Sequence, residues 1–267
     1  CPMAMSDEYP DWLEDTVEQL GVDLVFPTLD VDLDRFLASE ALLDRPVALN
    51  SPRALAVSRD KAELDRRLVA ADEPARIPSA SSADFAELRE LLGLPFLLKP
   101  RRGHGSRGIV SVADEDDFAP YAGRLPDELL AQQHVGDADE EYTVGAFGDG
   151  EGGFCARIAM RRWLFPHGPT SRVEVVEVSP DLEATLGRLA TILDPRGPTN
   201  LQFRRTEGGW RLLEVNARVS STTSLRERFG YPESTMTVDH YLEGRVPAQP
   251  TIRAGSAVRY LEDLVLP

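Results

Sequence analysis

Lysine is nearly absent from this chain. Of the 29 lysines and arginines only Lys61 and Lys99 are lysines. A composition that uses arginine for generic cations indicates that a retained lysine sits where a compact ammonium group is needed instead of a planar guanidinium. The alternative is that both lysines escaped this bias by chance, and the motifs around them decide between the two interpretations.

Cysteine is equally scarce, and several kinds of segment are missing. Cys1 and Cys155 lack metal-ligand or redox spacing, which favours an intracellular, cytoplasmic protein with two incidental thiols. No apolar run approaches the roughly 20 residues of a membrane span, and no basic signal-peptide region precedes an apolar one, so we expect no membrane partner. Because residue 1 is cysteine, we also expect the numbered chain to begin inside a longer parent.

Positive charge is in deficit. The formal net charge is −16 over 267 residues, with a sequence pI near 4.7. A strongly acidic chain is a poor nonspecific binder of nucleic acid, which requires a basic face. A local basic pocket for a small anion stays open. The length allows one large domain or two small ones.

The first fifth of the chain alternates helical and short apolar segments. Periodicity predicts a helix over 9–20, a buried strand over 22–26, a further helix, a strand at 47–49, and another helix opened by Ser51-Pro52. This order is half of a doubly wound α/β unit. A full unit would begin one strand earlier, so we expect residues 1–52 to form a truncated Rossmann-like domain. Further along, Ser82 is expected to cap a helix that runs through Leu92, and residues 114–121 are expected to be helical.

A glycine-rich segment follows Lys99. Gly103-His104-Gly105-Ser106-Arg107-Gly108 fits G-x-G-x-x-G, but the nicotinamide-binding version of this motif requires a helix after the glycines. The residues that follow, Ile109–Val112, are mostly β-branched and predict a strand. Strand, glycine loop and strand together indicate a flap whose backbone N–H groups close over phosphates. A plain hairpin turn and a nicotinamide site are the alternatives.

Oxygen-bearing side chains cluster on a predicted hairpin further along. Glu214 and Asn216 alternate on one strand and so share a face, Arg218 follows on that face, and Gln202 lies on the paired strand. Three oxygen donors suit Mg²⁺, which shares its shell with phosphate oxygens. Arg218 would then neutralise charge on a transferred phosphoryl group. The alternative is a polar, solvent-facing hairpin.

A third motif combines an apolar strand with a nearby carboxylate. The run Gln132-Gln133-His134-Val135 can offer backbone groups to an adenine edge, and a carboxylate of the following pair, Glu140-Glu141, can accept hydrogen bonds from ribose hydroxyls. His134 by itself is better explained as a packing or hinge residue than as a catalyst. The motif is nonspecific when taken alone.

In their order, these motifs resemble the ATP-grasp superfamily, and most of all single synthetase units of the carbamoyl-phosphate synthase large subunit. The resemblance rests on Asp30, Asp60-Lys61, Lys99-Pro100, Gln132–Val135, Glu141-Tyr142, Gln202, Glu214–Arg218 and Phe229–Pro232. It implies an α/β (α+β) ATP-grasp fold after the truncated domain at 1–52. The ATP-grasp domain would span 53–267, with a lid subdomain near 76–135 and a C-terminal subdomain near 136–267.

The resemblance also implies site residues and cofactors. Nucleotide-binding residues would be Lys61, Lys99, Gly103, Gly105, Ser106, Gly108, Gln132, Gln133, His134, Val135 and Glu141. Gln202, Glu214 and Asn216 would hold one or two Mg²⁺ ions, with Mn²⁺ as a substitute, and Arg218 and Lys99 would be catalytic. The implied enzyme is an ATP-dependent carboxylate–amine ligase that forms an acyl phosphate and releases ADP and phosphate. Its partners would be a small carboxylate and an amine, with a homodimer as one possible assembly.

Some positions depart from the family pattern. Gln202 is neutral where many relatives carry a carboxylate, and Ala217 replaces a common proline. No glutaminase is present, so complete carbamoyl-phosphate synthesis is not expected. A nucleotide-binding module without catalysis, and phosphorylation of bicarbonate or carbamate, remain the alternatives. One of four strand arginines is expected to hold the substrate carboxylate, or else they form surface salt bridges: Arg157, Arg161, Arg162 and Arg172.

Overall fold

Four helices and one parallel bridge make up the beginning of the chain. The computed structural model describes residues 1–38, 43–103, 108–165 and 169–260. The first helices are α1 (Tyr9–Leu20), α2 (Asp30–Ala38), α3 (Pro52–Arg59) and α4 (Lys61–Ala70). The predicted strands at 22–26 and 47–49 meet only at one parallel bridge, Val25–Val47. No third strand lies beside this pair among the described residues, and an isolated pair of strands is only marginally stable, which explains why these runs stay short.

A four-stranded antiparallel sheet follows. Its strands are β1 (Ser79–Ala80), β2 (Phe96–Pro100), β3 (Val110–Val112) and β4 (Leu129–Gln133), in the order β1-β4-β2-β3. The helices α5 (Phe85–Leu92) and α6 (Glu115–Phe118) cover it, and a 3-10 helix spans Ala119–Arg124. Fully buried Leu88, Phe96 and Leu98 belong to the core of this layer.

A larger, six-stranded sheet makes up the second half. Its strands are β5 (Glu141–Asp149), β6 (Phe154–Leu164), β7 (Thr170–Val176), β8 (Arg196–Thr206), β9 (Gly209–Asn216) and β10 (Ser256–Val258), in the order β10-β7-β6-β5-β8-β9. The remaining helices are α7 (Pro180–Leu193), α8 (Thr223–Arg228) and α9 (Glu233–Glu243). Leu182, Leu186 and Leu189 of α7 recur at helical spacing and are almost completely buried in the core of this sheet.

Two details of the predicted elements are wrong. Asp84, not Ser82, caps α5: its Oδ1 accepts the Glu87 N–H at 3.1 Å, because Asp84 directly precedes the first helical residue. The helix predicted over 114–121 divides into α6 and the 3-10 helix where Pro120 removes an N–H donor. The nicotinamide alternative for the glycine segment is not supported, because the predicted strand, β3, follows Gly108 where that alternative requires a helix.

A buried ion pair ties α8 and α9 to the large sheet. Arg226 and Glu233 are both fully buried, with Arg226 Nη1 3.1 Å from Glu233 Oε1. Arg226 Nη2 also donates to Thr143 Oγ1 at 3.2 Å and to Asn200 Oδ1. Gly145 lies against this guanidinium, and a Cβ placed there would be 2.6 Å from Arg226 Cζ. Within the described ranges, no helix is long and apolar enough to cross a membrane.

Candidate functional site

Both lysines open into one cavity between the two sheets, which we call the lysine cavity. Its lining contains Lys61, Lys99, Gly103, Gln132, Gln133, Val135, Glu141, Gln202 and Glu214 among the predicted site residues. These residues come from α4, from β2 and β4 of the small sheet, and from the large sheet. The structure therefore brings together residues that are up to 153 positions apart in sequence.

The start of α4 positions Lys61. Asp60 caps this helix, since its Oδ1 accepts the Ala62 N–H at 2.9 Å, and its other oxygen accepts from Arg101 Nη2 at 2.6 Å. Burial favours the neutral acid, but these hydrogen bonds keep the pKa of Asp60 below its usual value. Lys61 Nζ reaches Gly103 O at 3.3 Å and lies 3.9 Å from Glu214 Oε1. The ammonium group thus connects the glycine segment to the predicted metal ligand.

Lys99 is the more deeply buried of the two lysines. It is 7% exposed, and its Nζ donates to the neutral Gln132 Oε1 at 2.5 Å. Gln132 in turn donates to Ser79 Oγ at 3.0 Å. Burial, followed by the nearby charge of Lys61, lowers the pKa of Lys99 from 10.5 to about 8. Because this ammonium group has no carboxylate partner at hydrogen-bond distance among the described residues, a polyanion that enters the cavity would bind to it strongly.

Glu141 is held between two arginines that the sequence reasoning did not assign to the nucleotide site. Arg162 Nε donates to Glu141 Oε1 at 2.9 Å, and Arg204 Nη2 donates to Oε2 at 2.8 Å. Both arginines line the lysine cavity. Arg204 follows Gln202 by two positions on β8, so strand periodicity was the signal that could have found it.

The predicted metal ligands lie on the hairpin β8–β9. Gln202 lies opposite Glu214 and Asn200 lies opposite Asn216 in its register. Gln202 Oε1 accepts from Arg162 Nη2 at 2.8 Å. In the part of the chain that the structure describes, no cluster of three His, Cys, Asp or Glu side chains could hold a metal. The predicted donor set, Gln202, Glu214 and Asn216, therefore contains a single carboxylate beside two amide oxygens.

A second, wider cavity adjoins the first, and we call it the serine cavity because Ser220, Ser221, Thr222, Thr223 and Ser224 contribute to its lining. Arg218 and Asn216 line it. Arg218 forms a bidentate pair with Asp30 at 2.9 and 3.0 Å, and Arg59 lies 3.3 Å from the same carboxylate. A residue of α2, 188 positions earlier, thus orients Arg218.

Of the four strand arginines, Arg162 lines both cavities, and the other three are not in either lining. Arg157 pairs with Glu183 at 2.5 Å. Arg161 and Arg172 lie over the Trp163 ring, with Cζ 5.0 and 4.6 Å from its centroid. Surface pairing therefore explains these three residues, and it does not explain Arg162.

Some predicted nucleotide-binding residues lie elsewhere. Gly108 packs on Pro100 outside the lining, and His134 is exposed and also outside it. Gly105 and Ser106 lie outside the described residues. The Gln133 N–H already donates to Pro78 O at 2.9 Å. The Val135 N–H has no hydrogen-bond acceptor among the described residues, so it is the better candidate to meet a base.

Comparison with known proteins finds one family model and several curated relatives. The family model "ATP-grasp in the biosynthetic pathway with Ter operon" matches residues 127–264, just over half of the chain. The chain is similar to a D-alanine–D-alanine ligase of Dechloromonas aromatica, with 27% identity over 63% of this chain and 60% of that protein. It is also similar to the carbamoyl phosphate synthase large chain of Methanosphaerula palustris, with 28% identity over 55% of this chain and 15% of that protein.

A solved structure shows the same fold at low identity. The biotin carboxylase domain of Hydrogenobacter thermophilus 2-oxoglutarate carboxylase, a dimer solved with MgADP, ADP and bicarbonate, superposes with a TM-score of 0.72 and 15% identity. The superposition covers 92% of this chain and 60% of that one. The chain thus spans less than two thirds of the length of these proteins. Two lysines and an oxygen-rich hairpin around one cavity, together with the family match over half its length, show that the chain belongs to the ATP-grasp family.

Proposed function

We propose that this protein is an ATP- and Mg²⁺-dependent carboxylate–amine ligase that releases ADP and phosphate. The observation that carries the proposal is the convergence of Lys61, Lys99 and Glu214 on the lysine cavity, with Lys61 Nζ 3.9 Å from Glu214 Oε1. If these residues lay in separate regions of the protein, there would be no common site to bind a triphosphate and its metal ion.

The charge of the lysine cavity suits a triphosphate. Its charged lining residues are four cations and two carboxylates: Lys61, Lys99, Arg162, Arg204, Glu141 and Glu214. An excess of cations in a chain of net charge −16 indicates a bound anion. We assign the phosphates to the lysines and the ribose hydroxyls to Glu141, whose lone pairs not used by arginine remain acceptors. The base would meet the Val135 N–H.

The hairpin residues fit a magnesium ion that arrives with the nucleotide. Glu214 supplies a carboxylate, and Gln202 and Asn216 supply amide oxygens, which are hard donors of the kind Mg²⁺ accepts. One carboxylate alone holds the ion weakly, so phosphate oxygens would complete the set. When bound, the ion supplies Lewis-acid neutralisation of charge on the phosphoryl group.

The reaction would proceed in two displacements. A substrate carboxylate oxygen in the serine cavity bonds to the γ-phosphorus, and the bond to the β,γ-bridging oxygen breaks with its electrons remaining on ADP. The amine then attacks the acyl carbon, loses a proton, and phosphate leaves. Arg218, held by Asp30, would face the acyl phosphate from the serine cavity. The glycine segment, if it closes over the phosphates as the sequence predicts, would exclude water from that intermediate.

The test is ATP turnover by the purified chain against panels of carboxylates, bicarbonate included, and amines. We expect ADP and phosphate to appear only when the right carboxylate is present, and the Glu214→Ala variant to bind nucleotide without turnover. Formation of AMP and pyrophosphate would reject the mechanism. Full activity of the Glu214→Ala variant would remove Glu214 from the metal site.

A second candidate is a nucleotide-binding module without catalysis. The neutral Gln202 favours it, because a donor set with one carboxylate holds the ion loosely. Tight ATP binding with no turnover across the same panels would select this candidate. Turnover dependent on bicarbonate alone would instead select carboxyphosphate chemistry.

We also propose subdomain limits, an assembly and a location for this protein. The small sheet lies within 79–133, which supports a lid at 76–135 and a C-terminal subdomain at 136–267 after the short domain at 1–52. The dimeric structural neighbour supports a homodimer. Size-exclusion chromatography with light scattering tests the assembly, and a cytoplasmic location stays a prediction.

A further inference from the structure

Arg162 lies where the two cavities meet. Arg162, Gln202 and Glu214 line both the lysine cavity and the serine cavity. The proposed function gives Gln202 and Glu214 to the metal, and it counts Arg162 among the cations of the lysine cavity without assigning it a contact. Arg162 is the cation among these three shared residues, at the place where a phosphoryl group would pass from nucleotide to acceptor.

The Arg162 guanidinium is fixed from one side. Its Nε donates to Glu141 Oε1 at 2.9 Å, and its Nη2 donates to the same oxygen and to Gln202 Oε1 at 2.8 Å. The side chain is only 12% exposed. Nη1 has no hydrogen-bond partner among the described residues. Because a guanidinium stays charged and can only donate, Nη1 is a held donor at the junction.

Arg218, the expected contact for the phosphoryl group, is more heavily engaged. Its Nε and Nη2 both donate to Asp30, and its Nη1 donates to Val219 O at 3.1 Å. It lines the serine cavity and is not in the lining of the lysine cavity. Arg218 can therefore meet the acyl phosphate, but it does not face the nucleotide before transfer.

We propose that Arg162 contacts the terminal phosphoryl group of the bound nucleotide, and stays with that group as it passes to the carboxylate. This inference rests on the proposed function. The charge on the equatorial phosphoryl oxygens persists through the displacement, so a donor at the junction serves both the start and the end of the step. Residues that hold Arg162 in place, Glu141 above all, thereby connect ribose binding to phosphoryl recognition.

The test compares two nucleotides that differ in the terminal phosphoryl group. Calorimetry measures the Kd of MgADP and of the magnesium complex of the β,γ-imido analogue of ATP for the wild-type chain and for Arg162→Gln. We expect Arg162→Gln to weaken the analogue about tenfold or more, the usual effect of losing a charge-assisted hydrogen bond, and to leave MgADP within about twofold. The Arg157→Gln variant is the matched control, since Arg157 is on the same strand and pairs with Glu183. It should bind both nucleotides like the wild type.

The outcomes separate the two proposals. Equal weakening of both nucleotides, or none, would overturn the inference while the ligase proposal stands. A wild-type chain that binds neither nucleotide would overturn both. Glu141 keeps Arg204 at 2.8 Å in Arg162→Gln, so its buried carboxylate does not lose every partner. The Arg162→Lys variant retains a cation and should recover part of the analogue's affinity; no recovery over Arg162→Gln would count against a phosphoryl contact.

Discussion

The two lysines of this site, Lys61 and Lys99, and two of its arginines, Arg162 and Arg218, are held by different kinds of partner. Lys99 faces a neutral amide and Lys61 lies 3.9 Å from its nearest carboxylate, whereas Arg218 and Arg162 are bound to Asp30 and Glu141 at hydrogen-bond distance. An ammonium group without a close carboxylate partner contributes the most binding free energy when an anion arrives. A guanidinium that is hydrogen-bonded to a carboxylate has its charge partly neutralised, but its orientation is fixed. The difference indicates that the lysines supply most of the affinity for the nucleotide, and that the arginines mainly fix the geometry for transfer.

The largest effect should come from removing the buried lysine. We expect Lys99→Met to weaken nucleotide binding about a hundredfold, because a desolvated charge facing phosphate is lost. The free protein should be no less stable at pH 7, since burial already penalises the ammonium, as its lowered pKa shows. Calorimetry and thermal unfolding measure the two effects. Wild-type affinity in this variant, or a lowered unfolding temperature, would contradict the comparison.

The arginine side should show a smaller and different effect. Asp30→Asn removes the charged partner that orients Arg218, so we expect turnover to fall about 10- to 100-fold, as for other supporting carboxylates, with nucleotide affinity nearly unchanged. Steady-state kinetics measures the turnover, and calorimetry measures the nucleotide affinity. The matched control is Asp34→Asn, which loses a pair with Arg59 and leaves the bidentate Asp30–Arg218 pair in place. Equal turnover in both variants would mean that Arg218 needs no fixed partner.

The pH dependence should be the smallest effect. With a pKa of about 8, Lys99 in the free protein loses its proton between pH 7 and 9, whereas bound phosphates retain that proton. Nucleotide affinity should therefore fall about tenfold from pH 7 to pH 9. Calorimetry in buffers of different ionisation enthalpy at pH 8 should show net proton uptake on binding. The Lys99→Arg variant, which stays charged, should lose this dependence, and an equal slope in both proteins would assign it elsewhere.

Local chemistry explains what could be predicted from the sequence. Asp60 before Lys61, β-branched residues after the glycines, and Gln202 across from Glu214 all follow from capping, propensity and strand alternation, and the structure has each of them. The fold class and the family are confirmed. Boundaries shifted by one or two residues where capping groups compete, as at Ser82 and Asp84.

Long-range partners could not be predicted in the same way. Asp30 and Arg218 are 188 positions apart, and no periodicity connects them. The roles of Arg162 and Arg161 are likewise set by the direction in which each side chain of β6 points: one enters the cavities, and the other lies over Trp163. Alternation predicts that neighbours face opposite sides, but not which side holds the site. That choice belongs to the packing of the whole sheet.

The contact between Gly145 and Arg226 restricts the order in which substitutions at these positions can be accepted during evolution. A methyl group at position 145 would overlap the buried guanidinium, so any larger residue there is accepted only after Arg226 has been shortened. Shortening Arg226 first would leave the buried Glu233 carboxylate without its cation, which is strongly destabilising. A substitution at any one of these positions alone is therefore destabilising. Homologues should differ at positions 145, 226 and 233 together or at none of them.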